Sequence, residues 1–279
     1  MRLRMSLTQK CNLACVFCSK EGLGKREQTM DSEDYKFVIR SVRKYFDEID
    51  FTGGEPTLSN YLVDLIKEAK DNNYFTWMDT NGIKLGKDIE YCKRLKEAGL
   101  DRITISVLAT DQQIYNDLTG ANGKLFYFNQ QGLKNAVKLF GKNVDINTVF
   151  TKKNSQDMIN ILKLAEKLSV DLRVLELVGK YDKTNNLYVP ISEFKQIMNL
   201  NGGTINKKTC DEEYFVNGIK IMIRLPAGLG EDTPEPDFVW LTPDGYIKNV
   251  RGEELYLLDE IKSRNKQELE KKINKFLNL

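Results

Sequence analysis

Cys11-Asn12-Leu13-Ala14-Cys15-Val16-Phe17-Cys18 places three thiols at C-x3-C-x2-C spacing on one short stretch. It follows residues 2–8, where apolar and polar side chains alternate as in a half-buried strand. Three thiolates on such a loop can hold three irons of a 4Fe–4S cluster and leave the fourth iron open to another ligand. A structural zinc site would need its fourth position closed by Cys or His. The chain has no histidine, and its two other cysteines, Cys92 and Cys210, have no partner at ligand spacing. A ligand-bearing loop directly after a strand is how α/β barrels mount chemistry at the C-terminal ends of their strands.

Outward from that stretch, strand and helix alternate. Strands are predicted at 48–52, 75–79, 102–108, 144–150 and 171–177, each followed by helical periodicity. The helices fall at 31–46, 60–70, 89–98, 129–140, 156–168 and 192–198. Thr29 or Asp31 would cap the first, and Ser192 the last. Six strand–helix units imply a parallel sheet with helices outside, a partial (β/α)6 TIM-like barrel. After residue 200 the pattern changes. Residues 214–225 read as strand around Asn217-Gly218, residues 227–236 as loop, and residues 238–242 and 246–250 as a hairpin about Pro243-Asp244-Gly245. Residues 257–276 read as an amphipathic helix. The expected division is therefore a barrel over 1–200 and a small β-hairpin and helix extension over 201–279.

Composition narrows the function. At 279 residues, 41% hydrophobic and 29% charged, the chain is of soluble globular type with ample core. Its net charge of +2 argues against a general nucleic-acid binder. No apolar run is long enough to span a membrane, and the N-terminal residues lack a secretory apolar stretch. With five cysteines, an odd number, the expected location is the reducing cytoplasm. Without histidine there is no Ser-His-Asp or Cys-His machinery and no His-bound zinc or non-haem iron. Any general base must be a carboxylate, Lys, Tyr or Cys.

The cysteine spacing, with Phe17 before its last member, resembles the radical S-adenosylmethionine (SAM) superfamily motif. Thr52-Gly53-Gly54-Glu55-Pro56 resembles the motif that receives the SAM amino group. Asn81-Gly82, Ser106, Asn147 and Arg173 follow in order on the next four strands. Taken singly, two glycines after a strand mean a tight turn, and Arg173 would be a surface arginine; their joint order carries the resemblance. It implies one 4Fe–4S cluster on Cys11, Cys15 and Cys18, and SAM held by Phe17, Gly53, Gly54, Glu55, Pro56, Ser106, Asn147 and Arg173. It implies one-electron cleavage of SAM to a 5′-deoxyadenosyl radical that abstracts a substrate hydrogen, with a flavodoxin or ferredoxin as electron donor.

The branch most resembled is the molybdenum-cofactor GTP cyclase, MoaA. Leu3-Arg4-Met5-Ser6-Leu7-Thr8, Leu118-Thr119-Gly120, Ile146-Asn147-Thr148-Val149, Leu172-Arg173-Val174-Leu175-Glu176 and Trp240-Leu241-Thr242-Pro243-Asp244-Gly245 carry that likeness. The family's second-cluster cysteines map onto Thr233, Pro236 and Val250, and its Gly-Gly tail is replaced by Asn278-Leu279. Of its triphosphate contacts, an arginine maps onto Asp50, a threonine onto Asp79, a lysine onto Asp145 and two arginines onto Phe238 and Trp240, while Arg4 matches a substrate-binding arginine. Carboxylates there would repel a triphosphate, each contact costing on the order of a few kcal/mol. Phe238 and Trp240 would stack on a ring or cover a cation, or else form hairpin core; the aspartates are equally ordinary strand-end residues.

The expectation is a radical SAM enzyme acting on a cationic or polyhydroxylated small metabolite, an amino sugar, nucleoside or amine. Asp50, Asp79, Asp145 and Cys210 are its candidate catalytic residues. Arg4, Phe238 and Trp240 join the aspartates as candidate substrate contacts. Without a second cluster the outcome would be redox-neutral: epimerisation, rearrangement or elimination. Cys210 would then return a hydrogen atom to the substrate, or simply be a small buried residue. A peptide-modifying enzyme, a GTP-cyclase-like enzyme and a non-catalytic Fe–S protein stand as alternatives.

Overall fold

The computed structural model describes residues 1–20, 22–177, 185–200, 202–206, 211–224 and 238–278. Six strands follow one another in sheet order: β1 (Arg2–Ser6), β2 (Glu48–Thr52), β3 (Phe75–Thr80), β4 (Arg102–Ser106), β5 (Val144–Phe150) and β6 (Asp171–Glu176). All adjacent pairs are parallel, as strand–helix repetition dictates. Period-2 alternation sets their faces. Leu3, Met5, Ile49, Phe51, Met78, Ile103, Ile105, Ile146, Leu172 and Val174 are buried in the main core. Charged and polar residues, with Trp77, occupy the intervening positions, which line the barrel interior.

Among the described residues, eight α-helices cover the first two-thirds: α1 (Ser32–Ser41), α2 (Leu62–Asp71), α3 (Ile83–Lys87), α4 (Ile89–Glu97), α5 (Gln112–Thr119), α6 (Leu125–Phe140), α7 (Met158–Leu168) and α8 (Ile191–Ile197). Asp31 caps α1 in a capping box, accepting from the Asp34 N–H while Asp34 accepts from the Asp31 N–H, an arrangement worth about 1 kcal/mol. Ser192 does not cap α8. The N-cap is Pro190, whose fixed φ of −58° enters the helix directly. Helices α3 and α5 go beyond the periodicity, which is silent on such short segments. Backbone contact fixes α3 on α6: a Cβ on Gly132 would lie 2.0 Å from the Gly82 carbonyl oxygen, and one on Gly86 only 1.9 Å from that of Phe128.

The C-terminal third joins the same sheet at both ends. The stretch predicted as one strand is a hairpin, β8 (Asp211–Val216) and β9 (Ile219–Arg224), turning at Asn217-Gly218 with φ of 49° and 84°. Strand β9 pairs parallel to β6, and β7 (Thr204–Ile205) edges β8. On the other side, β10 (Phe238–Leu241) pairs parallel to β1, followed by antiparallel β11 (Tyr246–Lys248) and β12 (Glu254–Tyr256). Among the described residues, β10, β1 to β6 and β9 thus form a run of eight parallel strands flanked by antiparallel ones. The final helix is split into α9 (Leu258–Lys262) and α10 (Lys266–Leu277) by Arg264, whose φ is +55°. Among the described residues no helix is long and apolar enough to cross a membrane.

Candidate active site

The cysteine loop leaves β1 at the C-terminal mouth of the barrel and lies along the end of α5. Ala14 N–H donates to the Thr119 carbonyl at 2.8 Å and Val16 N–H to that of Leu118 at 3.0 Å. Leu13, Cys15 and Phe17 pack against a small core of Leu108, Ala109, Tyr115, Leu118 and Ala121. Phe17 therefore anchors the loop. Cys11 and Cys18 are exposed and Cys15 half-buried, all as free thiols. Burial, then the neighbouring thiols of Cys18 and Cys11, pushes Cys15 up to about 12. Burial also raises Cys11. Among the described residues no three Cys, Asp or Glu side chains converge on a single metal-ion position. A 4Fe–4S cluster puts each cysteine on a different iron, so its three thiols need not meet at one point as tetrahedral zinc ligands do. Cys92 belongs to the buried face of α4, and Cys210 lies outside the described residues.

The glycine motif ends β2 and lies against this loop, backbone to backbone. Gly54 N–H donates to the Thr8 carbonyl at 2.7 Å and Glu55 N–H to the Lys10 carbonyl at 2.9 Å. A Cβ on Gly53, at φ +135°, would sit 2.7 Å from the Thr8 oxygen; one on Gly54 would sit 2.2 Å from the Lys10 oxygen. Both glycines are thus required by close approach. Glu55 is 1% exposed, and both carboxylate oxygens are taken. It accepts from Thr57 N–H at 3.1 Å, Thr57 Oγ1 at 2.7 Å, Thr80 Oγ1 at 2.6 Å and Asn81 N–H at 2.8 Å. Its side chain ties the motif to the end of β3, leaving the motif's backbone to meet a cofactor. Burial raises its carboxyl, partly offset by these hydrogen bonds. Pro56 opens a single 3-10 turn, Pro56–Leu58. Asn81 Nδ2 reaches Asn12 Oδ1 at 2.7 Å, tying β3 to the cysteine loop.

Ser106, Asn147 and Arg173 stand side by side in register on β4, β5 and β6. Asn147 Oδ1 and Arg173 Nε are buried without a hydrogen-bond partner. Buried polar groups are rarely left so, and an orphaned acceptor and donor in this row fit a polar cofactor such as SAM. Buried Asn129, not singled out by any sequence pattern, donates to the carbonyls of Asn81 and Ser106 at 2.8 Å each and so holds this row to the end of β3.

Deeper inside, the predicted substrate residues separate into two groups. Arg4, Asp50, Asp79, Phe238 and Trp240 share the corner built by β10, β1, β2 and β3. Arg4 lies 3.1 Å from Asp50 and 2.5 Å from Asp79. Its guanidinium carbon is 5.4 Å from the Phe238 ring and 5.9 Å from the Trp240 ring. The two rings meet edge-on at 4.8 Å. Burial, then the Asp79 charge, raises Asp50 to about 6. Asp145 is apart from them, paired with Arg102 through bonds of 2.8 and 2.5 Å. Arg2, Arg102 and Arg173, from three different strands, all approach Trp77 at 4.3, 5.0 and 5.4 Å. The sequence motifs flag neither Trp77 nor Arg2 and Arg102; only their positions in the period-2 alternation mark them as inward-facing.

A family profile described as the Radical SAM superfamily matches residues 5–165. The chain belongs to the radical SAM superfamily. Among curated relatives it is 30% identical over 255 residues to a probable GTP 3′,8-cyclase of Methanococcus aeolicus, covering 88% of this chain and 83% of that one. It is 30% identical over 255 residues to a probable GTP 3′,8-cyclase of Sulfurisphaera tokodaii, covering 88% and 79%. Among solved structures it resembles Streptococcus suis SuiB bound to S-adenosylmethionine, with TM-score 0.60, 15% identity and 88% of this chain covered. SuiB bound to its precursor peptide SuiA matches with TM-score 0.60 and 16% identity, and the chain spans 58% of the SuiB chain. Native anSMEcpe with bound AdoMet gives TM-score 0.61 at 15% identity, covering 95% of this chain. At such identities the likeness shows the fold: a mixed α/β radical SAM fold with a parallel core and C-terminal antiparallel strands. The chain is a radical SAM enzyme. The superfamily implies a 4Fe–4S cluster and SAM, which the loop and the orphaned row accommodate. Bound there, the pair supplies one-electron SAM cleavage and hydrogen abstraction.

Proposed function

We propose that the chain carries out GTP-cyclase-like chemistry: hydrogen abstraction from an anionic, hydroxyl-bearing substrate of nucleotide type, using a single cluster on Cys11, Cys15 and Cys18. The observation that carries this is the charge balance inside the barrel. A cationic substrate was expected because carboxylates stand where the related cyclases are expected to keep cations. Here those carboxylates are partly compensated from within: Asp50 and Asp79 share the one guanidinium of Arg4, and Asp145 pairs with Arg102. The repulsion of a phosphate-bearing substrate is thereby removed at Asp145 and reduced at the Arg4 corner. Arg173, by contrast, has no carboxylate within ion-pair distance among the described residues, and its Nε is unpartnered. It is an arginine available to an anionic group of SAM or of substrate. Sequence likeness to GTP 3′,8-cyclases over 88% of the chain supports the same reading.

A second reading keeps a cationic or polyhydroxylated metabolite with a redox-neutral outcome. It is favoured by the cysteine inventory: after the cluster loop and Cys92, only Cys210 remains, too few for a second three-cysteine site. Anaerobically reconstituted, reduced protein given SAM and GTP separates the two. The first reading expects substrate-dependent 5′-deoxyadenosine and a cyclised nucleotide by mass spectrometry. Turnover with an amino sugar or nucleoside but none with GTP, with deuterium entering the product from D2O, would establish the second. For the electron donor we propose an acidic carrier, a flavodoxin or ferredoxin, to which the exposed cysteine loop with its exposed Lys10 and Lys20 is suited. An oxygen-labile cluster needs a reducing compartment, and we place the enzyme in the cytoplasm.

A further inference from the structure

After the cysteine loop the chain runs to α1 through residues 22–30, and this segment rests on the C-terminal hairpin. Asp244, in the β10–β11 turn, is 3% exposed. Its Oδ2 accepts the backbone N–H groups of Lys25 at 3.1 Å and Arg26 at 3.2 Å. Its Oδ1 accepts from Thr242 Oγ1 at 2.5 Å. Gly24, at φ +76°, is pressed so close that a Cβ would fall 2.1 Å from Asp244 Oδ1. Gly22, at φ +69°, would put one 2.4 Å from Trp240 Cδ1. From the other side of the cysteines, Gln9 donates through Nε2 to the carbonyls of Leu23 at 2.9 Å and Arg26 at 2.5 Å. Thr29 and Met30 N–H both donate to the Pro243 carbonyl, at 3.0 and 3.2 Å.

The chain just before Cys11 and the chain just after Cys18 are thereby fastened to each other and to the hairpin. Hydrogen bonds from backbone N–H to a buried carboxylate are the strong kind. They clamp the two ends of a loop that otherwise has few internal bonds. The Asp244–Thr242 bond alone would make Asp244 an ordinary turn residue; the two bonds to Lys25 and Arg26 connect it to the cluster loop.

We propose that Asp244 is a positioning residue for the iron–sulfur cluster. Through the backbone of Lys25 and Arg26 it fixes where Cys18 stands relative to Cys11. This uses superfamily membership only and is independent of which substrate is turned over.

The test compares wild type, Asp244→Ala, Asp244→Asn and Gln9→Ala as full chains, reconstituted anaerobically. Two readouts apply: the rate at which a chelator bleaches the cluster absorbance, and the electron paramagnetic resonance spectrum of the reduced cluster with and without SAM. Losing a charge-assisted hydrogen bond should speed cluster loss about tenfold or more in Asp244→Ala, with an altered spectral response to SAM. Asp244→Asn keeps an acceptor for the two N–H groups and should restore most of the wild-type behaviour. Gln9→Ala should shift both readouts in the same direction as Asp244→Ala. Wild-type bleaching and spectra in a folded Asp244→Ala protein would overturn the proposal. If that variant does not fold, unchanged bleaching and spectra in Gln9→Ala would overturn it equally.

Discussion

Gly54→Ala isolates the backbone contact between the glycine motif and the cysteine loop, on which the proposed SAM site rests. The added methyl carbon would lie 2.2 Å from the Lys10 carbonyl oxygen, 2.6 Å from its carbon and 2.9 Å from the Gln9 oxygen. All three are backbone atoms, so no side chain can swing away. Gly54 is not among the positive-φ residues, so the effect is steric. To restore ordinary contact the glycine motif and the cysteine loop must separate by about 1 Å, because carbon and oxygen do not approach much closer than van der Waals distance. That opens the 2.7 Å bond from Gly54 to Thr8 and the 2.9 Å bond from Glu55 to Lys10. Overpacking of this kind costs about 1–3 kcal/mol, and each weakened bond adds up to about 1 kcal/mol. The functional loss should be larger, since a 1 Å misplacement of a reacting group costs roughly 100-fold in rate. The assay is 5′-deoxyadenosine formation by reconstituted, reduced protein, with iron content measured alongside. The three cysteines are untouched, so iron should stay near wild type while SAM cleavage falls about 100-fold. Iron and cleavage both within about threefold of wild type would show that the glycine serves only a turn and that the backbone approach does not position SAM.

Three further outcomes follow from the burial and pairing of charge. Glu55→Gln replaces an acceptor oxygen with a donor where Thr57, Thr80 and Asn81 already donate; urea unfolding should show a loss of about 2–4 kcal/mol, and a loss below about 1 kcal/mol would contradict the pinning role. Arg102→Met strands the fully buried Asp145 and should cost about 3–5 kcal/mol, whereas Arg173→Met, with no described carboxylate depending on it, should cost about 1 kcal/mol or less yet weaken SAM or substrate binding; equal destabilisation of the two would refute the assigned pairing. Asp50 is raised from 3.8 to about 6 by burial and Asp79. The protonated form is therefore favoured by folding, and its stabilising contribution is complete below the unfolded value and lost as pH rises through about 6. Asp50→Asn should flatten the decline of melting temperature between about pH 4 and 7, and an unchanged profile would place the titration elsewhere.

Much of the barrel was legible because its information is local. Period-2 alternation marked β1 to β6, Asp31 marked the start of α1, and the cysteine spacing marked the loop. What was not legible is set by partners distant in sequence. Alternation in residues 214–225 and 238–250 could not say that β9 would extend the sheet beyond β6 while β10 would pair with β1. Helix α5 was missed because it is short and only Tyr115, Leu118 and Thr119 of it are buried. The break at Arg264 hides inside a continuous amphipathic pattern. Asn129 and Gln9 act through main-chain carbonyls, and no spacing rule marks a side chain that bonds to backbone more than ten residues away.

The same distinction bears on the pocket's charge. Carrying a motif across position by position supplies residue types at Asp50, Asp79 and Asp145, but the field inside a barrel belongs to every inward side chain on all its strands. Arg2 pairs with Glu48 at 2.9 Å, Arg4 with two aspartates, Arg102 with Asp145, and Arg224 with Asp211 at 2.7 Å. All but Arg4–Asp79 run between neighbouring strands, and alternation alone places their arginines on the same face; Asp50 and Asp79 share one arginine between them. An ion pair of this kind presents a dipole to a ligand, and its attraction for an ammonium is far smaller than that of a lone carboxylate. Discrimination then falls to the buried polar atoms left without a partner, among them Asp50 Oδ1, Asp79 Oδ1 and Arg173 Nε. Arg173 has no ion pair among the described residues; it lies 5.4 Å from the Trp77 ring, is buried, and stands in register with Asn147. A ligand that brings an anion to it satisfies a buried donor, while one that brings only a cation leaves that donor orphaned and adds a like charge beside it. That is the ground on which we propose an anionic group, of SAM or of substrate, at Arg173.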